Sequence, residues 1–252
     1  MPAEILNHPL IGQRYFFPRP ERFDNPFWVD CGPARLACHY HEVDPQGLTV
    51  VHFHGNGEVV ADYVDFLPGL FSRFGCNTFI AEFRGYGMST GEPAVGTMID
   101  DIEPIINAVP SPPERIVLFG RSVGSIPAVQ AVTRFPQVAG LIIESGIADV
   151  LERLLLRVDP LELGVTPAQL EQAVAQKLDQ RRTMAAFSGP LLVMHTVHDG
   201  LVDVEHGKRL HDWAGSEQKM LRLFERGDHN SIMMVNGEEY FRLVGEFLAS
   251  LS

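Results

Sequence analysis

The chain has 252 residues, 45% of them hydrophobic and 21% charged, with a formal net charge of −12. That balance suits one globular domain large enough to bury a sizeable core. With no Lys/Arg cluster to offset the acids, it argues against a nucleic-acid partner. Cys31, Cys38 and Cys76 are too few and too scattered for a disulfide framework; free buried thiols are expected, although Cys31 and Cys38 could face each other across a hairpin at Gly32-Pro33.

The first thirty residues carry Pro2, Pro9, Pro18, Pro20 and Pro26 and no apolar run, so no signal peptide is expected there. No stretch approaches the roughly eighteen apolar residues of a membrane span. The expectation is a cytoplasmic protein without a stable membrane anchor.

Residues 1–25 read as an irregular arm held to the core by Tyr15-Phe16-Phe17. Residues 27–31 and 34–43 read as two short strands about Gly32-Pro33, the second alternating Leu36, Cys38, Tyr40 with Ala37, His39, His41. Residues 48–54 form a buried strand that ends in His54-Gly55-Asn56-Gly57-Glu58, and a helix is expected over 59–74, with a kink at Pro68-Gly69. A second buried strand, 77–83, is closed by the loop Arg84 to Gly91, and a helix over 97–109 follows.

Ile116, Val117, Leu118 and Phe119 form a continuous apolar run, as expected of a parallel strand buried on both faces. It stops at Gly120-Arg121-Ser122-Val123-Gly124 and gives way to a helix over about 123–135, with Pro127 in its first turn. Further strands are expected at 138–144, 190–196 and 219–225, and helices at 204–213 and 238–251. Strand and helix thus alternate, which implies right-handed crossovers and a mostly parallel, doubly wound α/β sheet with an antiparallel edge.

Residues 145–188 break the rhythm. Leu151, Leu154, Leu155 and Leu156 cluster there, and Thr166-Pro167-Ala168-Gln169 opens a helix with a capping box. Two helices at this place would make a small cap within the single domain, or would pack only against its body; if a cap forms, its leucines give an apolar acyl site.

A serine hydroxyl is a poor nucleophile until an oriented base takes its proton. In G-x-S-x-G between strand and helix, Ser122 would stand at a strained corner on the carboxyl edge of the sheet. His229 follows the last strand and Asp199 the one before it, an order matching that of α/β-hydrolase triads. The oxyanion of a tetrahedral intermediate needs donors, for which the N–H groups of Val123 and Asn56 are the candidates. Asp203 is the rival acid, although a helix cap explains it without chemistry; Glu144 and Asp149 are more remote rivals.

These motifs together resemble the α/β-hydrolase fold superfamily, over about residue 48 to the end. Within it they resemble small serine hydrolases related to bacterial esterases, serine aminopeptidase-like lipases and depalmitoylating hydrolases. The resemblance implies hydrolysis of a small-molecule ester or thioester through an acyl-enzyme, with no cofactor and no metal. A peptidase or amidase of the same fold, or a non-catalytic ligand-binding scaffold, are the alternatives. The chain departs from the pattern in placing Asp228, where Gly is frequent, before His229. It also lacks an N-terminal cysteine cluster, which argues against a membrane-recruited depalmitoylase.

Candidate substrate contacts are Glu58, Tyr86, Leu151 and Leu155. Glu58 could instead be a helix-start charge and Tyr86 a loop brace. His52 and His54, two apart on one strand, and His195 and His198 after another, are read as structural rather than metal-binding. The leaving group, acyl chain and oligomeric state are not legible in the sequence.

Overall fold

The structure, a computed structural model, describes residues 2–251. Its strands are β1 (Phe27–Cys31), β2 (Ala34–His41), β3 (Thr49–Phe53), β4 (Asn77–Ala81), β5 (Ile116–Arg121), β6 (Gly140–Glu144), β7 (Leu191–Thr196) and β8 (Lys219–Phe224). They form one sheet in the order β1-β2-β4-β3-β5-β6-β7-β8. From β4 to β8 all neighbours are parallel; β1 with β2 and β2 with β4 are antiparallel. The eight strands and the antiparallel edge are those expected.

The unbroken apolar runs follow from burial on both faces. Val51, Phe53, Leu118, Ile143 and Val193 enter one core, and Val50, Val117, Phe119, Ile142 and Met194 enter the other, one residue out of phase. The helices are α1 (Pro2–Leu6), α2 (Pro9–Tyr15), α3 (Leu67–Ser72), α4 (Val95–Asp100), α5 (Ile102–Ala108), α6 (Ser125–Arg134), α7 (Val150–Leu155), α8 (Pro167–Lys177), α9 (Gln180–Ala186), α10 (Val204–Trp213), α11 (Ile232–Val235) and α12 (Gly237–Ala249). Helices α3 and α12 cover the second core, and α4, α5, α6 and α9 the first.

Several expectations are corrected. The arm is not irregular: Pro9 opens α2, and the His8 ring caps it by accepting from the N–H of Leu10 at 3.2 Å. Tyr15 and Phe16 are buried, whereas Phe17 is exposed; residue 1 lies outside the described residues. The helix expected over 59–74 is a single 3-10 turn at Val60–Asp62 and then α3, because Pro68 begins a helix rather than kinking one. The helix expected over 97–109 is broken at Asp101, three residues before Pro104, which has no N–H to donate to the carbonyl of Asp100 in a continuous ladder.

The 145–188 stretch holds three α-helices, α7 to α9, and not two. The capping box of α8 is present as expected: the Thr166 hydroxyl accepts from Gln169 N–H at 3.2 Å and Gln169 Oε1 from Thr166 N–H at 2.8 Å. All three cysteines are free; in the β1–β2 register Cys31 faces Ala34 and Cys38 faces Phe27.

Candidate active site

The corner after β5 is dictated by close packing. Ser122 has φ of +51°, a left-handed conformation that costs on the order of 1–3 kcal/mol for a residue with a Cβ. A Cβ on Gly124 would lie 2.1 Å from the carbonyl oxygen of Phe53, and one on Gly120 would lie 2.6 Å from the Cα of Ser125. Only glycine lets β3 and α6 approach the turn this closely, which is the physical content of the pentapeptide.

The hydroxyl of Ser122 is 2.8 Å from Nε2 of His229, and Nδ1 of His229 donates to Oδ2 of Asp199 at 2.7 Å. His229 is carried on a loop shaped by Asp228, whose Oδ1 accepts from the N–H groups of Asn230 (3.1 Å) and Ser231 (3.0 Å) and from the Ser231 hydroxyl (2.6 Å). The departure from glycine is thus an Asx-type turn that sets the loop. Asp199 also accepts the N–H groups of Leu201 (2.9 Å) and Val202 (2.8 Å). Nε2 of His195 lies 3.2 Å from the same Asp199 oxygen that meets His229. Burial would raise the Asp199 pKa, but the hydrogen bonds from His195, His229 and Val202 outweigh it and hold the carboxyl well below its usual range. Asp203 does not reach His229; it caps α10 by accepting the N–H of Glu205 at 2.9 Å.

Asn56 lines the same cavity as Ser122, Val123 and His229. Its side chain faces away and fastens the arm, with Oδ1 accepting from Phe17 N–H (3.0 Å) and from the Tyr86 hydroxyl (2.7 Å) and Nδ2 donating to the Tyr15 carbonyl. Behind the loop, His54 lies between two acceptors, the Gly55 carbonyl at 2.8 Å and Glu82 at 2.6 Å. Donating to both requires the imidazolium. Burial opposes that charge, but the Glu82 carboxylate prevails and the His54 pKa is raised.

Arg121, the residue before Ser122, is mostly covered, its side chain 11% exposed, and joins several elements. It pairs with Glu58 and, at 3.0 Å, with Glu144, and donates to the carbonyl of His229 at 3.1 Å and to Asn230 Oδ1 at 3.2 Å. Burial opposes the charge, yet the two carboxylates raise the guanidinium pKa further above its ordinary value. Glu144 in turn accepts the hydroxyl of Tyr240, so it braces Arg121 and is no rival for the triad acid.

The four candidate substrate contacts are corrected. Glu58 is neither a helix-start charge nor a pocket wall: besides Arg121 it holds Gly55 N–H at 2.5 Å and the Tyr63 hydroxyl at 2.6 Å. Tyr86 is fully buried and braces Asn56. Leu151 packs on the core, and Leu155 is 47% exposed; neither lines the cavity beside Ser122. The apolar acyl site expected of the leucines is therefore absent, because Leu154 and Leu163 are buried in the body while Leu156 and Leu161 face solvent.

The cavity beside Ser122 measures about 210 Å³, and residues 145–188 contribute Ile147, Arg153 and Arg157 to its wall. Val123, Ile147, Leu201 and Val202 supply its apolar side. His52 is buried against Tyr63 and Phe119 and does not line this cavity. His198 is exposed. Among the described residues, none of these histidines joins a group of three that could hold a metal, and no helix is long and apolar enough to cross a membrane.

Sequence reasoning missed Arg121, Arg153 and Arg157, and named His195 as structural without its partner Asp199. Arg121 carried a signal, a charge at the end of an otherwise apolar central strand, where only a buried partner could make it tolerable. His195 followed the same logic on β7. Arg153 and Arg157 carried only their spacing of four in a stretch of leucines.

The sheet order, the left-handed serine after β5 and a histidine on the loop after the last strand are those of the α/β-hydrolase fold. The family described as serine aminopeptidase, S33, matches residues 44–166. The chain is similar to alpha/beta hydrolase domain-containing protein 17C of Mus musculus, 26% identical over 223 residues that make up 85% of this chain and 64% of the mouse protein. It thus spans just under two thirds of that relative. Against protein 17B of Homo sapiens the identity is again 26%, over 85% of this chain and 71% of the relative. The fold is that of the Pyrococcus furiosus esterase Pf2001 (TM-score 0.73, 17% identity, 93% of this chain and 99% of that one). It is also that of Est1E from Butyrivibrio proteoclasticus, solved with ferulic acid (TM-score 0.71, 15% identity, 89% and 98%). A monoacylglycerol lipase from Paleococcus ferrophilus is similar too (TM-score 0.66, 19% identity, 86% and 99%).

Proposed function

We propose that this hydrolase cleaves carboxylic esters or thioesters through an acyl-enzyme on Ser122. The observation that carries the reading is the unbroken relay from Ser122 Oγ through His229 to Asp199, at 2.8 and 2.7 Å. His229 Nε2 takes the Ser122 proton as Oγ bonds to the acyl carbon. The carbonyl becomes an oxyanion held by the N–H groups of Val123 and Asn56, where each donor is worth about 3–4 kcal/mol to the transition state. Collapse expels the alkoxide or thiolate, which takes the proton from His229. Water then gives its proton to His229 and attacks the acyl carbon, and Ser122 Oγ leaves with that proton. Asp199 fixes the imidazole tautomer and stabilises its charged form.

In this reading, residues 145–188 act as a small cap over the site, supported by the place of Arg153 and Arg157 on the cavity wall. A panel of p-nitrophenyl esters run beside aminoacyl p-nitroanilides tests the reaction class. Ester turnover that vanishes in Ser122→Ala is expected. Faster anilide cleavage would make the protein a peptidase or amidase instead.

A further inference from the structure

The wall opposite the triad carries charge where the sequence promised leucine. Arg153 sits in the last turn of α7 and Arg157 in the turn just past its end, and both line the Ser122 cavity. Among the described residues neither is paired with a carboxylate.

The acids nearby in sequence are committed elsewhere. Asp149 caps α7 on Glu152 N–H at 2.9 Å, and Glu152 pairs with Arg209 at 3.3 Å. Asp159 caps the next turn on Leu161 N–H at 2.9 Å, and Glu162 grips Arg14 through two bonds, 2.5 and 3.1 Å. In a chain of net charge −12, two unanswered guanidiniums at the mouth of the catalytic cavity are a local reversal of sign.

Arg157 is also held in place. The Arg157 guanidinium lies over the Phe17 ring, 5.6 Å from its centroid, and Phe17 is fixed through its N–H to Asn56 Oδ1 and to the Tyr86 hydroxyl. The Tyr15 phenol lines the same cavity; burial, against the nearby Arg153 and Arg157, pushes its pKa up to about 12, so it stays a neutral donor. Arg121 shares the wall, but Glu58 and Glu144 neutralise it. The unbalanced part of this wall is therefore donors only, in the planar forks that match a carboxylate or a phosphate.

We infer that the substrate of this enzyme is an anionic ester, one bearing a carboxylate or phosphate that Arg153 and Arg157 receive while Ser122 attacks the carbonyl. The inference rests on the serine-hydrolase reading and narrows its substrate class. The anion sits on either the acyl or the alcohol side, and two substrate pairs separate these.

The first pair is p-nitrophenyl hemiglutarate against p-nitrophenyl valerate, the second 1-butyrylglycerol 3-phosphate against monobutyrin. In at least one pair the charged member should show a kcat/KM about tenfold or more above its neutral partner. That ratio should fall as NaCl rises from about 0.05 to about 0.5 M. Arg153→Met with Arg157→Met should lower the ratio about tenfold or more, mainly through KM, while Arg157→Lys keeps part of it. A melting curve checks that the double variant folds, and the salt dependence of the wild type stands without any variant. Neutral esters cleaved as fast as charged ones in both pairs, or a ratio unmoved by the double substitution, overturns the inference and leaves the hydrolase reading standing. No turnover of any of the four overturns both.

Discussion

Nη2 of Arg121 donates to the carbonyl oxygen of His229 across 3.1 Å, so the residue preceding Ser122 holds the backbone of the histidine that Ser122 meets. One side chain thereby ties the end of β5 to the loop after β8, and its two carboxylate partners tie both to the loop after β3 and to β6.

Arg121→Met should be costly, because it strands Glu58 and Glu144 in the interior; a loss of about 3–5 kcal/mol is expected from urea unfolding. Arg121→Lys keeps a charge but loses the fork, so kcat should drop more than KM rises. An Arg121→Met protein as stable and as active as wild type would remove the cluster from the account.

The sheet was legible because its strands are buried on both faces, which writes them as unbroken runs such as Ile116 to Phe119. The serine corner was legible because Gly120 and Gly124 are demanded by backbone contacts of 2.6 and 2.1 Å. Proline misled twice in the same way: at Pro9 and Pro68 it starts helices. The cap face was illegible because a stripe of leucines reads alike whether it points to a pocket, to the core or to solvent. Leu155, Leu156 and Leu161 point outward, and the arginines among them turn to the cavity.

Asp199 and Asp203 should fail in different assays. Asp199→Asn should hold the imidazole in the wrong tautomer and cut kcat by about 10⁴ with the fold intact. Asp203→Ala removes the cap on Glu205 N–H and should cost about 1 kcal/mol in thermal melting with little change in rate. A dead Asp203→Ala beside a working Asp199→Asn would exchange their roles.

The two shifted groups around the triad predict opposite pH limbs of stability. The folded Asp199 pKa lies below its unfolded value of about 3.9, so its contribution is present above that pH and is lost as pH falls below it. The gap in Tm between wild type and Asp199→Asn should therefore narrow below about pH 4. The folded His54 pKa lies above its unfolded value of about 6.5, so its contribution is full below that pH and fades as pH rises through the folded value. Wild type should thus lose Tm faster than His54→Gln on the alkaline side of about pH 6.5. Parallel melting profiles on both limbs would contradict the assigned charges.

The central claim is that Ser122 is the one nucleophile, activated by His229. Intact-mass measurement after treatment with a fluorophosphonate, followed by peptide mapping, tests it most directly. The account predicts a single adduct per chain, on Ser122, absent in Ser122→Ala and strongly slowed in His229→Ala. A folded wild-type protein that takes no adduct, or takes it on another residue, would contradict it.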